Sequence, residues 1–478
     1  MTLDVALPLL AKIVGEDNVS NDFVEIPSIH LQTYADVTGN RKAMDKKKIC
    51  ARPEDVDQVS KIVKEAARQK VAIIPVGGST TFFVTGGPTP VAEESIVIDL
   101  RRMDRILELD ETSRSVTVQA GVTVQKLKAY LESRGWWLPH HPESYVNATV
   151  VGAICNDGIS PFSTKYGRPA EQVASLKIVL PDGTICTIGN KTLFDNSFML
   201  KKLFLGVNGS LGVIVEATFK VYPKPNSRAR ALYGFTTAAD ACEAVSEINR
   251  AGLGPEVVMM PTKERVYNEA LLPILSAVDV SSVLDGKELY VFVGYAGSKE
   301  SVEFSVTQTT KIAAAKRGEE IDSRVADSYW INLTEIGAVV SPQMATIYKS
   351  KKYQSSRGGI SLSHLPEFLV RQKELVPKSG SIVDDGVTSY VFFPQLDADP
   401  ICGILLDDSD QESVAEFNRW LRDVSLLNKE LGGTLAAVGG TGTMLKDLVG
   451  TEMGDSQILA DRLKKAIDPD GIMNPGKI

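Results

Sequence analysis

Apolar and polar positions along this chain switch between helical and strand periods, and the switches mark its elements. Residues 53–69, PEDVDQVSKIVKEAARQ, put Val56, Val59, Ile62, Val63 and Ala66 on one helical face, with Pro53, Glu54 and Asp55 at the positive end. A β-branched run follows. Val71, Ile73 and Ile74 predict a buried strand that stops in the small-residue stretch 75–81. SIVIDL at 95–100 predicts another buried strand, and 115–135 reads as strand, a turn at Gly121, then helix. Residues 174–189 predict a hairpin around Pro181-Asp182-Gly183. Residues 210–222 predict a strand ending at Pro223-Lys224-Pro225, and residues 1–17 a short amphipathic helix.

Beyond residue 225 the texture changes. Short apolar runs (289–297, 388–396) alternate with amphipathic helices (237–252, 410–430), the pattern of an antiparallel sheet covered by helices. The end of the chain, DRLKKAIDPDGIMNPGKI, is a helix stopped by Asp468-Pro469 and followed by a turn-rich tail built to dock. The pattern thus predicts an α+β protein in three parts: residues 1–225, residues 226–430, and a returning segment, 431–478. No internal repeat or low-complexity tract interrupts it.

Composition narrows the function. The chain has 478 residues, 43% apolar and 23% charged, with a net charge of −8. That balance is globular, long enough for several domains, and lacks the basic surface a nucleic-acid partner needs. The one basic run at the start, Lys46-Lys47-Lys48, reads as a solvated face. No apolar run reaches the roughly 18–20 residues of a membrane span, and the N-terminal stretch lacks the basic start of a signal peptide. Five cysteines lie far apart with no CxxC pair, which points to a reducing, cytoplasmic setting and away from an iron–sulfur or zinc module. The four histidines show no metal-ligand spacing beyond the adjacent His140 and His141.

The candidate chemistry lies in four small-residue segments. Pro75, Val76, Gly77, Gly78, Ser79, Thr80 and Thr81 end a strand in paired glycines and hydroxyls, so backbone N–H groups and side chains face one concavity suited to an anion. Residues 139–167 are a long non-periodic stretch of the kind that carries function. Residues 206–214 place glycines and a serine before a strand, and MNPGKI closes the chain.

In this order the segments resemble the vanillyl-alcohol-oxidase superfamily, whose members share a PCMH-type FAD-binding domain. The D-lactate/glycolate dehydrogenase branch fits best. Its P-R-G-G-G-T loop corresponds to Pro75-Val76-Gly77-Gly78-Ser79-Thr80. Its T-I-G-G and K-Y-G elements correspond to Thr149-Val150-Val151-Gly152 and Lys165-Tyr166-Gly167, and its G-S-E-G-T-L-G-I-I element to residues 206–214. Its D-P-N-G-I-L-N-P-G-K ending corresponds to residues 468–477. The resemblance implies a two-subdomain FAD-binding fold with an α+β cap. Loop 76–81 and segment 142–152, including Pro142, Glu143, Ser144, Thr149, Gly152 and Ala153, would hold the diphosphate. Lys165, Tyr166 and Gly167 join the cofactor set. Gly209, Gly212 and the backbone at Val213 would meet the adenine, and Asn474 the isoalloxazine. Ser79 stands where covalent members carry the flavin-linking histidine, so the resemblance implies non-covalent FAD; His364 is the single cap histidine that offers another link.

The chain also departs from that branch. The H-x-G-D-G-N-x-H strand that would hold a metal reads Ile382-Val383-Asp384-Asp385-Gly386-Val387-Thr388-Ser389, and the G-E-H-G segment puts Val438 and Gly439 at the Glu and His positions. Ile, Val and Gly offer no metal ligand, and no metal is expected. Removing an alcohol proton as hydride leaves still needs a group within reach. Tyr390 is the first replacement, with Tyr353 and Arg357, beside Tyr329 and Tyr348, as groups able to hold a phenolate or carboxylate. The expectation is an FAD-dependent oxidoreductase taking hydride from a small organic donor, a neutral or aromatic alcohol. One alternative is a D-lactate/glycolate-type 2-hydroxy-acid dehydrogenase with relocated catalytic groups. The other is a flavin electron-relay subunit with no substrate site. Expected partners are the small-molecule donor and a separate electron acceptor, an electron-transfer flavoprotein or iron–sulfur subunit; a homo-oligomer is compatible with the sequence.

Overall fold

The computed structural model describes residues 3–21, 47–80, 92–191, 198–270, 284–331, 352–393, 395–407, 409–438, 440 and 444–476. The predicted helix at 53–69 forms over Val56–Gln69. Asp55 accepts the Gln58 amide at 2.8 Å at its start, and Lys70 ends it in the left-handed region. Val59, Ile62, Val63 and Ala66 are buried, as their spacing requires, the larger three each contributing about 1.5–3 kcal/mol. This helix covers a four-stranded sheet in the order Val19–Ser20, Lys47–Ala51, Glu94–Asp99, Ala72–Val76, whose last three strands run parallel. The Ala72–Val76 strand is its edge.

The second half of the first unit is a five-stranded antiparallel sheet: Ile106–Asp110, Ser115–Gln119, Val213–Lys220, Val173–Val179, Ile185–Gly189. Its last two strands are the predicted hairpin. One apolar core runs through both sheets and also takes in Ile472 and Met473 from the tail.

Residues 227–406 build the large sheet. Its order is Glu319–Glu320, Ser227–Phe235, Leu289–Gly297, Val257–Pro261, Ile382–Phe392, Asp397–Leu406, Lys352–Arg357, with Ile360–Ser361 also pairing Asp397–Leu406. Each pairing is antiparallel. The sheet has two different faces because strand side chains alternate. Val291, Val387, Val391 and Ile404 join one core with helices Ala238–Arg250, Leu365–Leu375 and Gln411–Glu430. Phe292, Met259 and Tyr390 join the other, which holds Trp137, Ile159 and Phe162 of the first unit. The protein is therefore α+β, with the antiparallel sheet lying between a helical layer and the first unit.

Thr164 makes that joint. Its Oγ1 accepts the Val258 amide and its carbonyl accepts the Phe393 amide, both at 3.0 Å, so one residue holds two neighbouring strands of the large sheet. Arg168 adds a bond of 2.7 Å to the Ala437 carbonyl. Among the described residues no helix is long and apolar enough to cross a membrane. None of the five cysteines forms a disulfide.

Candidate functional site

The four small-residue segments are neighbours. A Cβ at Gly77 would strike the Thr149 hydroxyl, and one at Gly78 would fall on the Asn147 carbonyl, so loop 75–79 lies directly against segment 142–152. Gly209 approaches Pro75 so closely that a Cβ would sit 2.5 Å from its ring, and its φ of +73° suits glycine. The tail completes the set. Met473 bridges to Ile73 in parallel, the Ile73 amide donates to the Ile472 carbonyl at 2.7 Å, and the Asn474 amide donates to the Ile73 carbonyl at 2.8 Å. Asn474 Nδ2 donates to the Asn208 carbonyl at 2.6 Å.

Two residues outside the predicted set fasten this junction. Lys464 Nζ donates to the Ser210 carbonyl at 2.6 Å, the Met473 carbonyl at 2.9 Å and the Asp468 carboxylate at 2.7 Å. Asp468 in turn accepts the Ile472 and Met473 amides. Asp468 was marked in the sequence by the Asp-Pro helix stop and the 468–477 ending; Lys464 was not marked, and of its partners Ser210 lies 254 residues away while Asp468 and Met473 are close in the chain.

The cradle fits a dinucleotide diphosphate. Ser79 sits in the left-handed region with φ +52°, and its buried Oγ has no hydrogen-bond partner among the described residues. Thr80 is half-buried beside it, and Thr81 lies outside the described residues. Val76 is buried and Pro75 half-buried at the end of the Ala72–Val76 strand. Pro142 and Ser144 spend their carbonyls on the turn, accepting the Tyr145 amide at 3.0 Å and the Ala148 amide at 2.8 Å. Thr149 caps helix Val150–Asn156 by accepting the Gly152 amide at 3.1 Å; Ala153 follows in its first turn. Gly212 packs against Ile178, and Val213 is buried, so its backbone is the part able to meet a ligand.

Lys165, Tyr166 and Gly167 occupy a different place. Tyr166 packs edge-on against Trp137 at 5.5 Å and Tyr222 at 4.9 Å, in the cluster between the first unit and the large sheet. Burial is the main force pushing its phenol up to about 12. Lys165 is exposed, and Gly167 ends the short Ser163–Tyr166 helix at φ +74°.

The face of the large sheet turned to the first unit carries the other candidates. Tyr390 pairs in register with Met259 on one side and Asp399 on the other; Thr388 pairs with Ile401, which pairs with Arg357. Registered residues share a face, so Tyr390, Thr388, Asp399, Ile401 and Arg357 form one patch. Arg357 is bound to the Asp399 carboxylate, with both side chains almost wholly buried. Asp399 is thus the partner that sequence reasoning missed, and it already compensates the guanidinium charge. Thr388 Oγ1 and Ser355 Oγ, on the same face, are buried without a hydrogen-bond partner among the described residues. Tyr353 holds a backbone position two residues before Ser355, opposite Leu405.

Tyr390 is 6% exposed. Burial foremost, then the charge of Glu143 and the proximity of Tyr329, hold its phenol well above the ordinary tyrosine range, against the pull of Arg357 and Arg265. Arg265 is itself paired with Asp385 at 2.5 Å. Tyr329, fully buried on helix Ser323–Ile331, packs 5.6 Å from Phe292. Val438 is buried in the same cluster, whereas Gly439 and Tyr348 lie outside the described residues. His364 is exposed at the start of helix Leu365–Leu375, on the opposite, helical side of the sheet. Ile382 and Val387 also belong to the helical side. Among the described residues no three His, Cys, Asp or Glu side chains converge as metal ligands.

The sequence motifs agree with this geometry. Residues 48–189 match the FAD binding domain family, and residues 224–478 match the family of FAD linked oxidases, C-terminal domain, which spans more than half of the chain. The chain belongs to the FAD-linked oxidases. It is similar to a probable mitochondrial D-lactate dehydrogenase of Danio rerio, 26% identical, with 89% of this chain and 83% of that protein covered. It is equally similar to the glycolate oxidase subunit GlcD of Bacillus subtilis, 26% identical over 89% of this chain and 87% of that one. The fold is shared with a 4-ethylphenol oxidase of Gulosibacter chungangensis, with a TM-score of 0.80 and 15% identity over 99% of this chain and 96% of that one. This FAD-linked oxidase is therefore an oxidoreductase of PCMH-type fold with FAD as its cofactor, as the resemblance implied. FAD supplies the two-electron acceptor.

Proposed function

We propose that this FAD-linked oxidase holds FAD without a covalent bond and oxidises a CH–OH donor of the 2-hydroxy-acid class, using catalytic groups displaced from their usual positions. The observation that supports the reading is the patch of Tyr390, Arg357 and Asp399 on the face of the sheet turned to the first unit, in a chain whose relatives are named for D-lactate and glycolate. Backbone groups of 75–79, 142–152 and 206–213, with Asn474, would hold the cofactor. Ser79 provides a hydrogen-bonding hydroxyl and no imidazole to alkylate, and His364 faces away.

The donor would lie between FAD and the sheet. Tyr390, a neutral phenol, donates or accepts a hydrogen bond at the donor's hydroxyl, and Arg357 orients its carboxylate while Asp399 keeps the guanidinium fixed. The phenol is too strongly held in its protonated form to act as a phenolate base. A separate protein, flavin- or iron–sulfur-bearing, would take the electrons onward. A second reading, a neutral or aromatic alcohol donor, draws support from Val438 in the catalytic Glu position and from the apolar wall of Phe292, Trp330 and Ile401.

Anaerobic mixing of the yellow protein with a panel of donors tests both. Bleaching by D-lactate, glycolate or a larger 2-hydroxy acid is the expected result. Bleaching by benzylic alcohols alone selects the second reading. A flavin bleached by none of them, with acceptor proteins present, leaves the electron-relay role. Trichloroacetic acid precipitation should release all of the flavin into the supernatant.

A further inference from the structure

The segment that carries Val438 has no strand or helix of its own. After helix Gln411–Glu430 the chain runs through 431–438 in turns and bends, and within a few residues it passes from one side of the large sheet to the other. Leu435 is buried in the core under the helices, whereas Ala437 and Val438 are buried in the cluster that holds Tyr390. A backbone without a ladder takes its place from whatever binds its amides and carbonyls. The tethers of this strap therefore decide where Val438 stands.

Both ends are tethered. At the near end the Thr434 amide donates to the Gly359 carbonyl, and the Gly359 amide donates to Thr434 Oγ1, each at 2.9 Å. Gly359 lies two residues beyond Arg357, and a Cβ on Gly433 would strike its carbonyl oxygen, so the strap is pressed onto the large sheet there. At the far end Arg168, from the first unit, donates through Nη1 to the Ala437 carbonyl at 2.7 Å. The same nitrogen lies 3.3 Å from Asp157 Oδ2. Asp157 follows helix Val150–Asn156, whose cap Thr149 meets Gly77, and a Cβ on Gly206 would touch the Asp157 Cβ at 3.4 Å. Arg168 is thus anchored where two segments of the cofactor cradle meet.

We infer that Arg168 is a positioning residue for the donor site: it holds the far end of the strap against the first unit and so fixes Val438 in the wall it shares with Tyr390. The inference rests on the donor site proposed above. A guanidinium suits this task because it stays charged and can serve a carbonyl and a carboxylate together, where an ammonium is a single point charge. No proton or electron passes through Arg168. Its effect on the donor travels along the backbone from Ala437 to Val438.

Four variants test the inference in FAD-loaded protein: Arg168→Met, Arg168→Lys, Val438→Ala, and Arg168→Met combined with Val438→Ala. With a donor that bleaches the wild type, Arg168→Met should raise the concentration for half-maximal flavin reduction about tenfold, the loss of one hydrogen bond to a charged group. The limiting rate should stay within about twofold, since Arg168 touches no reacting atom. Arg168→Lys should recover part of the loss. In the Val438→Ala background, Arg168→Met should cost much less, because the side chain it places is gone. Additive effects, or wild-type half-saturation in Arg168→Met, overturn the inference and leave the donor assignment standing. The second readout needs no donor. Peptide hydrogen exchange over 434–438 should speed up in Arg168→Met while exchange over 72–76, in the cradle strand, keeps its wild-type rate. Arg168→Lys gives the same readout at smaller amplitude should Arg168→Met lose its fold. Unchanged exchange over 434–438 overturns the inference even if no donor is found.

Discussion

The small-residue cradle proposed for FAD and the Tyr390–Arg357–Asp399 patch proposed for the donor are made of different material. The cradle is backbone: glycines pressed against carbonyls, amides left for a ligand, and a tail hooked to a strand edge. Its specificity comes from how closely main chain approaches main chain. The patch is side chains, with two arginines each bound to a buried aspartate, phenols, and orphan hydroxyls. The cradle should therefore be sensitive to added atoms, and the patch to removed ones.

Gly78→Val breaks the cradle outright. The new side chain must displace the Asn147 carbonyl, and the purified protein should lose its visible flavin spectrum altogether even in excess FAD. The opposite operation tests the patch. Asp399→Ala removes the carboxylate bound to the buried Arg357 guanidinium, which should cost about 3–5 kcal/mol in urea unfolding. Adding Arg357→Met should recover most of it, because an apolar residue of similar volume replaces the ion pair.

His140 sharpens the comparison from inside the cradle segment. It is 5% exposed, its Nε2 has no hydrogen-bond partner among the described residues, and burial first, then His141, push it down to about 3. Below pH 6.5 the unfolded chain binds a proton there that the folded chain refuses, so stability falls as pH falls until about 3 is reached. Between pH 7 and 5 the wild type should lose about 2 kcal/mol more than His140→Gln, read as the difference in urea midpoints multiplied by the slope. The smallest effect belongs to Asn474→Ala. Loss of its bond to the Asn208 carbonyl should weaken FAD retention by about 1 kcal/mol, close to a fivefold rise in dissociation constant. If Asn474→Ala harmed the protein more than Asp399→Ala, the contrast between backbone and side-chain construction would fail.

The same contrast governs what could be read from the chain. The glycine segments were legible because turn chemistry is local: Gly77-Gly78, Asn208-Gly209 and the Asp468-Pro469 stop announce themselves within a few residues. The 289–297 strand and the 174–189 hairpin were legible because their periods are unbroken. The Tyr390 strand was read as 388–396, yet it runs Ile382–Phe392, since a bulge between Asp384 and Gly386 shifts the alternation and hides its first half. Asp399 as the partner of Arg357, Thr164 as the joint, and Lys464 as the clasp were not legible. Each depends on register between segments brought together only by the tertiary fold.

The bridge between Ile73 and Met473 bears on anyone who would trim this protein. The first unit, cut out alone, would present the bare edge of Ala72–Val76, an apolar row of amides and carbonyls ready to pair with another copy. What looks like an autonomous nucleotide-binding module is, at that edge, an unfinished sheet, and its excision should yield aggregates before it yields a smaller flavoprotein.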